Sequence, residues 1–159
     1  MNPIVMYTDG AAQGNPGKGG YGIVLISGNH RKEISQGYRH TTNNRMELLS
    51  VIVGLEALKK PGSEVTIFSD SKYVVDSVNK GWLFNWAKKN YQGKKNTDLW
   101  KRFMMIYPKF KIKFIWVKGH ASNVENNRCD ELAVAAAKSG HLLIDVNYEQ
   151  DVNQENLFG

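Results

Sequence analysis

The sequence has a single cysteine, Cys129, so no internal disulfide is possible and the fold must stand on its own core. That pattern fits a reducing compartment. No apolar run approaches the roughly 20 residues that a membrane-spanning helix requires. Nor does any N-terminal stretch combine a basic start, an apolar run and a small-residue cleavage site, so the chain reads as cytoplasmic. Internal repeats and linker composition are also missing, and 159 residues with 42% hydrophobic and 23% charged content describe one ordinary globular domain. Acidic charge is nearly absent from the long stretch between Lys80 and Lys118. There Lys80, Lys88, Lys89, Lys94, Lys95, Lys101, Arg102, Lys109, Lys111, Lys113 and Lys118 are opposed by Asp98 alone. With a net charge of +6, this stretch reads either as a nucleic-acid footprint or as a solvated face that keeps the protein soluble.

The chain is organised around Thr41-Thr42-Asn43-Asn44-Arg45-Met46-Glu47-Leu48. Asn44 followed three residues later by Glu47 has the spacing of a capping box and predicts a helix start. Leu48, Ile52, Leu55 and Leu58 continue at helical spacing as its buried stripe. Before it, Pro3 to Thr8, Tyr21 to Ser27 and Lys32 to Tyr38 read as three strands. Three strands before the first helix predict an antiparallel meander. The glycine-rich loop from Ala11 to Gly20 matches neither a phosphate-binding nor a dinucleotide fingerprint, since no helix pattern follows it. Pro61 ends the first helix, Glu64 to Phe68 is a β-branched strand, and a short helix follows with Ser71 or Asp70 as its N-cap. Asp98 opens another amphipathic helix that Pro108 stops. Lys111 to Val117 alternates like a half-exposed strand, and Asn127 to Ser139 is the last helix. Beyond Leu143 no periodicity survives, and Asp145, Glu149, Asp151 and Glu155 make an acidic segment expected to fray.

Four carboxylates fall at element ends. Asp9 and Asp70 each follow an apolar strand, while Glu47 and Asp130 are expected in the first turns of two helices. Each alone has a bland role: Asp9 in an Asp-Gly turn, the others as caps or dipole partners. Converging, they would repel one another and need divalent cations. Two magnesium ions about 3.5–4 Å apart can clamp a phosphoryl displacement. His120 lies in a loop before the last helix, either as a surface residue or as a proton shuttle near a nucleophilic water.

These residues together carry a resemblance. Tyr-Thr-Asp9-Gly10, the Thr-Thr-Asn-Asn-Arg-Met-Glu47-Leu run, Ser-Asp70-Ser, and Trp-Val-Lys-Gly-His120 through Arg-Cys-Asp130-Glu-Leu-Ala resemble bacterial type 1 ribonuclease H. The resemblance implies an α/β fold of that family, a five-stranded mixed sheet (antiparallel meander, then parallel strands) flanked by helices. It covers a catalytic domain over residues 1–143, with 144–159 as the acidic tail. It further implies endonucleolytic hydrolysis of the RNA strand of RNA·DNA hybrids by a monomer using two Mg2+ ions, with Mn2+ as a substitute, leaving 5′-phosphate and 3′-hydroxyl ends. Asp9, Glu47, Asp70 and Asp130 would be the metal ligands, and His120 would assist proton transfer or product release. Gly10, Asn15, Asn43, Asn44 and Asn126 would lie against the substrate. The segment holding Trp82, Trp86, Lys88, Lys89, Lys94 and Lys95 is similar to the family's basic protrusion, though shorter. Two positions depart from the pattern: Lys72 stands where glutamine is usual, and His40 replaces an arginine in a DNA-phosphate pocket completed by Thr42 and Asn96. Two other classes stay open. A catalytically dead hybrid-binding module would have lost one of the four acids, and a resolvase- or transposase-like nuclease would cut DNA duplexes.

Overall fold

The computed structural model describes residues 3–118 and 123–158. Three strands come first, β1 (Ile4–Ala12), β2 (Gly17–Ser27) and β3 (His30–Thr41), paired antiparallel as a meander. Helix α1 (Asn43–Glu56) then crosses to β4 (Glu64–Ser69), which lies parallel to β1. Three helices follow, α2 (Lys72–Asn79), α3 (Trp82–Lys88) and α4 (Thr97–Ile106), before β5 (Lys111–Trp116) adds parallel to β4. The chain ends with α5 (Val124–Lys138), β6 (Leu142–Leu143) and α6 (Val146–Phe158).

The strand order is β5-β4-β1-β2-β3-β6, so the expected mixed sheet gains a sixth, edge strand. Only Leu142 and Leu143 form it, pairing with Gly37 and Tyr38, and two residues are too few to show alternation in sequence. Strand alternation assigns the two faces. Met6 and Ile23 are fully buried in one cluster with Leu48, Ile52 and Leu55 of α1. On the opposite face α5 lies directly on β2: a Cβ added at Gly22 would sit 2.2 Å from the Cys129 carbonyl oxygen. Cys129 is buried there, and burial pushes its thiol far above the ordinary range, so it stays protonated and inert.

Several boundaries differ from the sequence expectation. Helix α1 starts at Asn43 with Thr42 as N-cap, whose hydroxyl accepts the Arg45 N–H at 3.2 Å; the Asn44–Glu47 capping box does not form. Glu47 is turned to the strands instead, which the reciprocal bond would have forbidden. β1 does not stop at Asp9 but runs to Ala12, because the glycine-rich segment opposite is itself strand and supplies partners from Tyr21 to Gly19. Asn123 caps α5 by accepting from the Glu125 and Asn126 N–H groups, which places Asp130 in the second turn rather than the first. Residues 146–158 form α6 where a frayed tail was expected. Asp145, at its start, is buried against Arg45, and no periodicity in the segment reports such a long-range ion pair.

Candidate active site

The parallel pairing of β1 with β4 brings the first two acids together. Its last pair is Tyr7 with Phe68, whose rings stack at 5.1 Å, and continuing that register sets Asp9 level with Asp70. Glu47 reaches the same point from α1, because Gly10 allows a helix backbone to approach. A Cβ at Gly10 would lie 2.4 Å from the Glu47 nitrogen. The Gly10 N–H donates to the Glu47 carboxylate and, at 2.9 Å, to Asp9 Oδ1. One oxygen each from Asp9, Glu47 and Asp70 lies within 4.8 Å of the others. Asp130 stands outside that triad, near enough on α5 for its charge to act on Asp9.

The electrostatics of this cluster are unbalanced. Among the described residues no lysine, arginine or histidine pairs with Asp9, Glu47, Asp70 or Asp130. Burial, chiefly, lifts Asp9 from 3.8 to about 7; the charges of Asp70 and Asp130 add to this, while hydrogen bonds from Glu47 and the Gly10 N–H pull the other way. Glu47 is pushed up well above its ordinary value by burial first and then by Asp9 and Asp70. Such a group of acids can share protons or take up cations. The donor set is all oxygen and its charge is uncompensated, which fits a hard divalent ion such as magnesium.

The triad lines a depression of about 350 Å³ together with Gly10, Ala11, Asn43, Asn44, Ser71, Lys72 and Tyr73. Asn43 is fixed there, its side chain accepting the Ala12 N–H and its backbone N–H donating to Asn15 Oδ1 at 3.0 Å. Asn44 is exposed. Asn126, on α5, donates at 3.5 Å to the Phe68 carbonyl, and its Oδ1 is buried with no hydrogen-bond partner among the described residues. Thr42 and Asn96 are tied to one arginine: Thr42 caps Arg45, and Asn96 Oδ1 lies 3.4 Å from Arg45 Nη1. His40 stacks obliquely on Tyr148 of α6, ring centroids 5.5 Å apart. In the basic segment Lys88, Lys89, Lys94 and Lys95 are exposed. Trp86 turns its edge to Trp100 with Lys94 over its face, whereas Trp82 is exposed beneath Lys80. His120 lies outside the described residues.

Sequence reasoning passed over three groups. Arg45 is buried and forked: it bonds Asp98 at 2.7 and 2.9 Å and Asp145 at 2.7 and 2.9 Å. Burial works against the Asp98 charge, but the Arg45 guanidinium outweighs it and holds Asp98 below the usual carboxylate range. Asp98 was signalled as the lone acid in a basic stretch; its partner was not. Tyr73, in the short helix after Asp70, carries no signal in sequence, yet its hydroxyl accepts from Asn96 and from the Trp100 indole. Trp116, which opens the Trp-Val-Lys-Gly-His120 run at the end of β5, is exposed beside Asp70.

Residues 1–138 match the RNase H family model. The chain is similar to a ribonuclease H of Desulforamulus reducens, 52% identical over 151 residues that cover 92% of this chain and 94% of the relative. It is likewise similar to a ribonuclease HI of Synechocystis, 44% identical over 153 residues, covering 92% and 95%. Among solved structures it resembles LC9-RNase H1, described as a type 1 RNase H with the type 2 active-site motif. There the TM-score is 0.78 at 28% identity, covering 94% of this chain and 81% of that one. LC11-RNase H1, solved in complex with an RNA/DNA hybrid, aligns with a TM-score of 0.58 at 25% identity, covering 84% and 96%.

Proposed function

We propose, on the premise that this chain belongs to the ribonuclease H family, that it hydrolyses the RNA strand of RNA·DNA hybrids by a two-metal-ion mechanism. The observation that carries this reading is the partly buried, uncompensated triad of Asp9, Glu47 and Asp70 beside Asp130. Those four acids would hold two Mg2+ ions, with Mn2+ as substitute. When bound, the ions supply Lewis-acid polarisation of the scissile phosphate and a water made nucleophilic at neutral pH. The protein's own share is to fix that geometry. The Gly10 N–H orients Asp9 and Glu47 at once, and the β1–β4 register keeps Asp70 alongside.

Asn15, Asn43 and Asn44, with Gly10 and Asn126, would meet the minor groove, where 2′-hydroxyls distinguish RNA from DNA. His40, Thr42 and Asn96 would hold a phosphate of the DNA strand. Lys88, Lys89, Lys94 and Lys95 with Trp82 and Trp86 would grip the duplex further along, and Lys72 would reach it beside the acids. His120 would move the proton or help release the product, leaving 5′-phosphate and 3′-hydroxyl ends. The catalytic unit is residues 1–143, with the acidic 144–159 segment attached to it, acting as a cytoplasmic monomer. That LC11-RNase H1 has been solved with a hybrid supports the substrate class.

Labelled RNA·DNA hybrid, double-stranded RNA and double-stranded DNA, each with Mg2+ or with chelator, test the reading. Cleavage confined to the RNA strand of the hybrid and abolished by chelator is expected. DNA cleavage, or activity that chelator leaves untouched, overturns it.

A further inference from the structure

Among the described residues one basic side chain, Lys72, lines the acidic depression. Its position is unfavourable for the helix that carries it. Lys72 is the first residue of α2, where the helix dipole prefers an anion, and no acid occupies that first turn. Among the described residues its ammonium has no ion-pair partner within 4.0 Å. It lies instead over the ring of Trp116, 4.8 Å from the centroid.

Trp116 is placed with equal care. It pairs with Ser69 at the carboxyl ends of β5 and β4, one residue before Asp70. Its indole N–H donates at 3.1 Å to the Asp70 carbonyl oxygen, which fixes the ring, yet 42% of the residue remains exposed. An aromatic face left open and anchored to the backbone of a site acid is a platform, and a cation resting on it gains from the ring quadrupole. The other lysine–aromatic pairs, Lys80 with Trp82, Lys94 with Trp86 and Lys101 with Tyr91, involve no residue lining the depression.

We propose that Lys72, held on Trp116, forms an anion site for the phosphodiester adjacent to the one being cut, on the β5 side of the acids. The inference rests on the ribonuclease reading above and deepens it. A strand passing over three carboxylates carries its own negative charge past them, so a phosphate flanking the cut meets their repulsion as the central one does. The neighbouring phosphate meets Lys72, already oriented, so little side-chain freedom is lost on binding. The N-terminus of α2 adds its dipole to the same anion. Trp116 is the positioning residue in this pair and touches no reacting atom.

Steady-state cleavage of a hybrid by Lys72→Met, Lys72→Arg, Trp116→Leu and Trp116→Phe tests the site. Lys72→Met is expected to raise KM about tenfold, the size of one charge-assisted hydrogen bond, with kcat little changed. It should also flatten the log–log salt dependence by roughly 0.7–0.9, the value of one neutralised phosphate. Lys72→Arg, which keeps the charge, should raise KM less than Lys72→Met, Trp116→Leu should raise KM, and Trp116→Phe should recover part of that loss. A single neutral methylphosphonate at the phosphate flanking the cut should cost the wild type the same factor and cost Lys72→Met nothing further. A wild-type KM and salt slope in Lys72→Met, or losses that are additive with methylphosphonate at both flanking phosphates tested in turn, overturn the proposal. A wild-type KM in Trp116→Leu overturns the role given to the ring. Failure of the wild type to cut any hybrid is a separate result and sinks the ribonuclease reading itself.

Discussion

Asp9 shows how one side chain couples catalysis to stability. Its carboxyl is lifted from 3.8 to about 7 in the fold, so between those values the folded chain keeps a proton that the unfolded chain has released. Stability from this group is therefore full below about pH 4 and is lost as pH rises through about 7. Asp9→Asn removes the charge and nearly keeps the shape. In metal-free protein it should raise Tm at pH 8 and change it much less at pH 4, read by thermal melts of both proteins in chelator. Mg2+ should raise the wild-type Tm at pH 8 and the variant's less. The same substitution should lower kcat by about a thousandfold, several kcal/mol of lost charge stabilisation. A folded variant that still cleaves near the wild-type rate removes Asp9 from the site.

At the scale of elements, α6 is fastened chiefly at its start, through the buried residue before it. Asp145 accepts from Arg45 and from Thr41 Oγ at 2.8 Å, and Arg39 adds a two-point bond to Glu149 nearer the surface. Asp145→Ala strands part of a buried guanidinium and should cost about 3 kcal/mol, or roughly 10 °C in Tm for a domain of this size. Arg39→Ala cuts only an exposed pair and should lower stability far less. Denaturant melts of the two variants check the ranking. The basic segment behaves differently, since its exposed lysines contribute to binding and not to the core. Replacing Lys88, Lys89, Lys94 and Lys95 with methionine should leave Tm nearly unchanged. It should weaken hybrid binding and flatten the salt slope by about 0.7–0.9 for each phosphate no longer neutralised. Binding titrations between low and moderate salt give the slope directly, and an unchanged slope returns the segment to a solvated face.

For the whole molecule, substrate choice should follow helix shape and ribose, because the residues proposed to meet the groove are asparagines and backbone. Unrelated hybrid sequences should be cut at similar rates, and deoxyribose substituted around the cut should prevent cleavage. Rates measured on a panel of hybrids, with and without the deoxy substitutions, decide this; strong base preference with indifference to ribose contradicts it.

The sequence by itself determined the order of β1 to β5 with α1, α2, α4 and α5 between and after them, and the identity of the candidate acids. Apolar runs ending in Asp9 and Asp70, the helical stripe after Glu47, and the breaks at Pro61 and Pro108 are local signals, carried by neighbouring residues. The three-strand start likewise followed from turn chemistry and alternation, and the charge of the Lys80–Lys118 stretch needed only counting. What tertiary structure decided depends on residues far apart in the chain. Only the β1–β4 register sets Asp9 level with Asp70, and only the close approach allowed at Gly10 brings Glu47 to them in place of a capping box. Asp145 looked like tail composition because its partner, Arg45, lies a hundred residues upstream. Trp116 looked like one more strand residue until the edge of β4 put its ring beside Asp70 and under Lys72. Pattern along a chain reports what neighbours do for one another; burial, shared charge and anchoring across the sheet arise only once the chain has closed on itself.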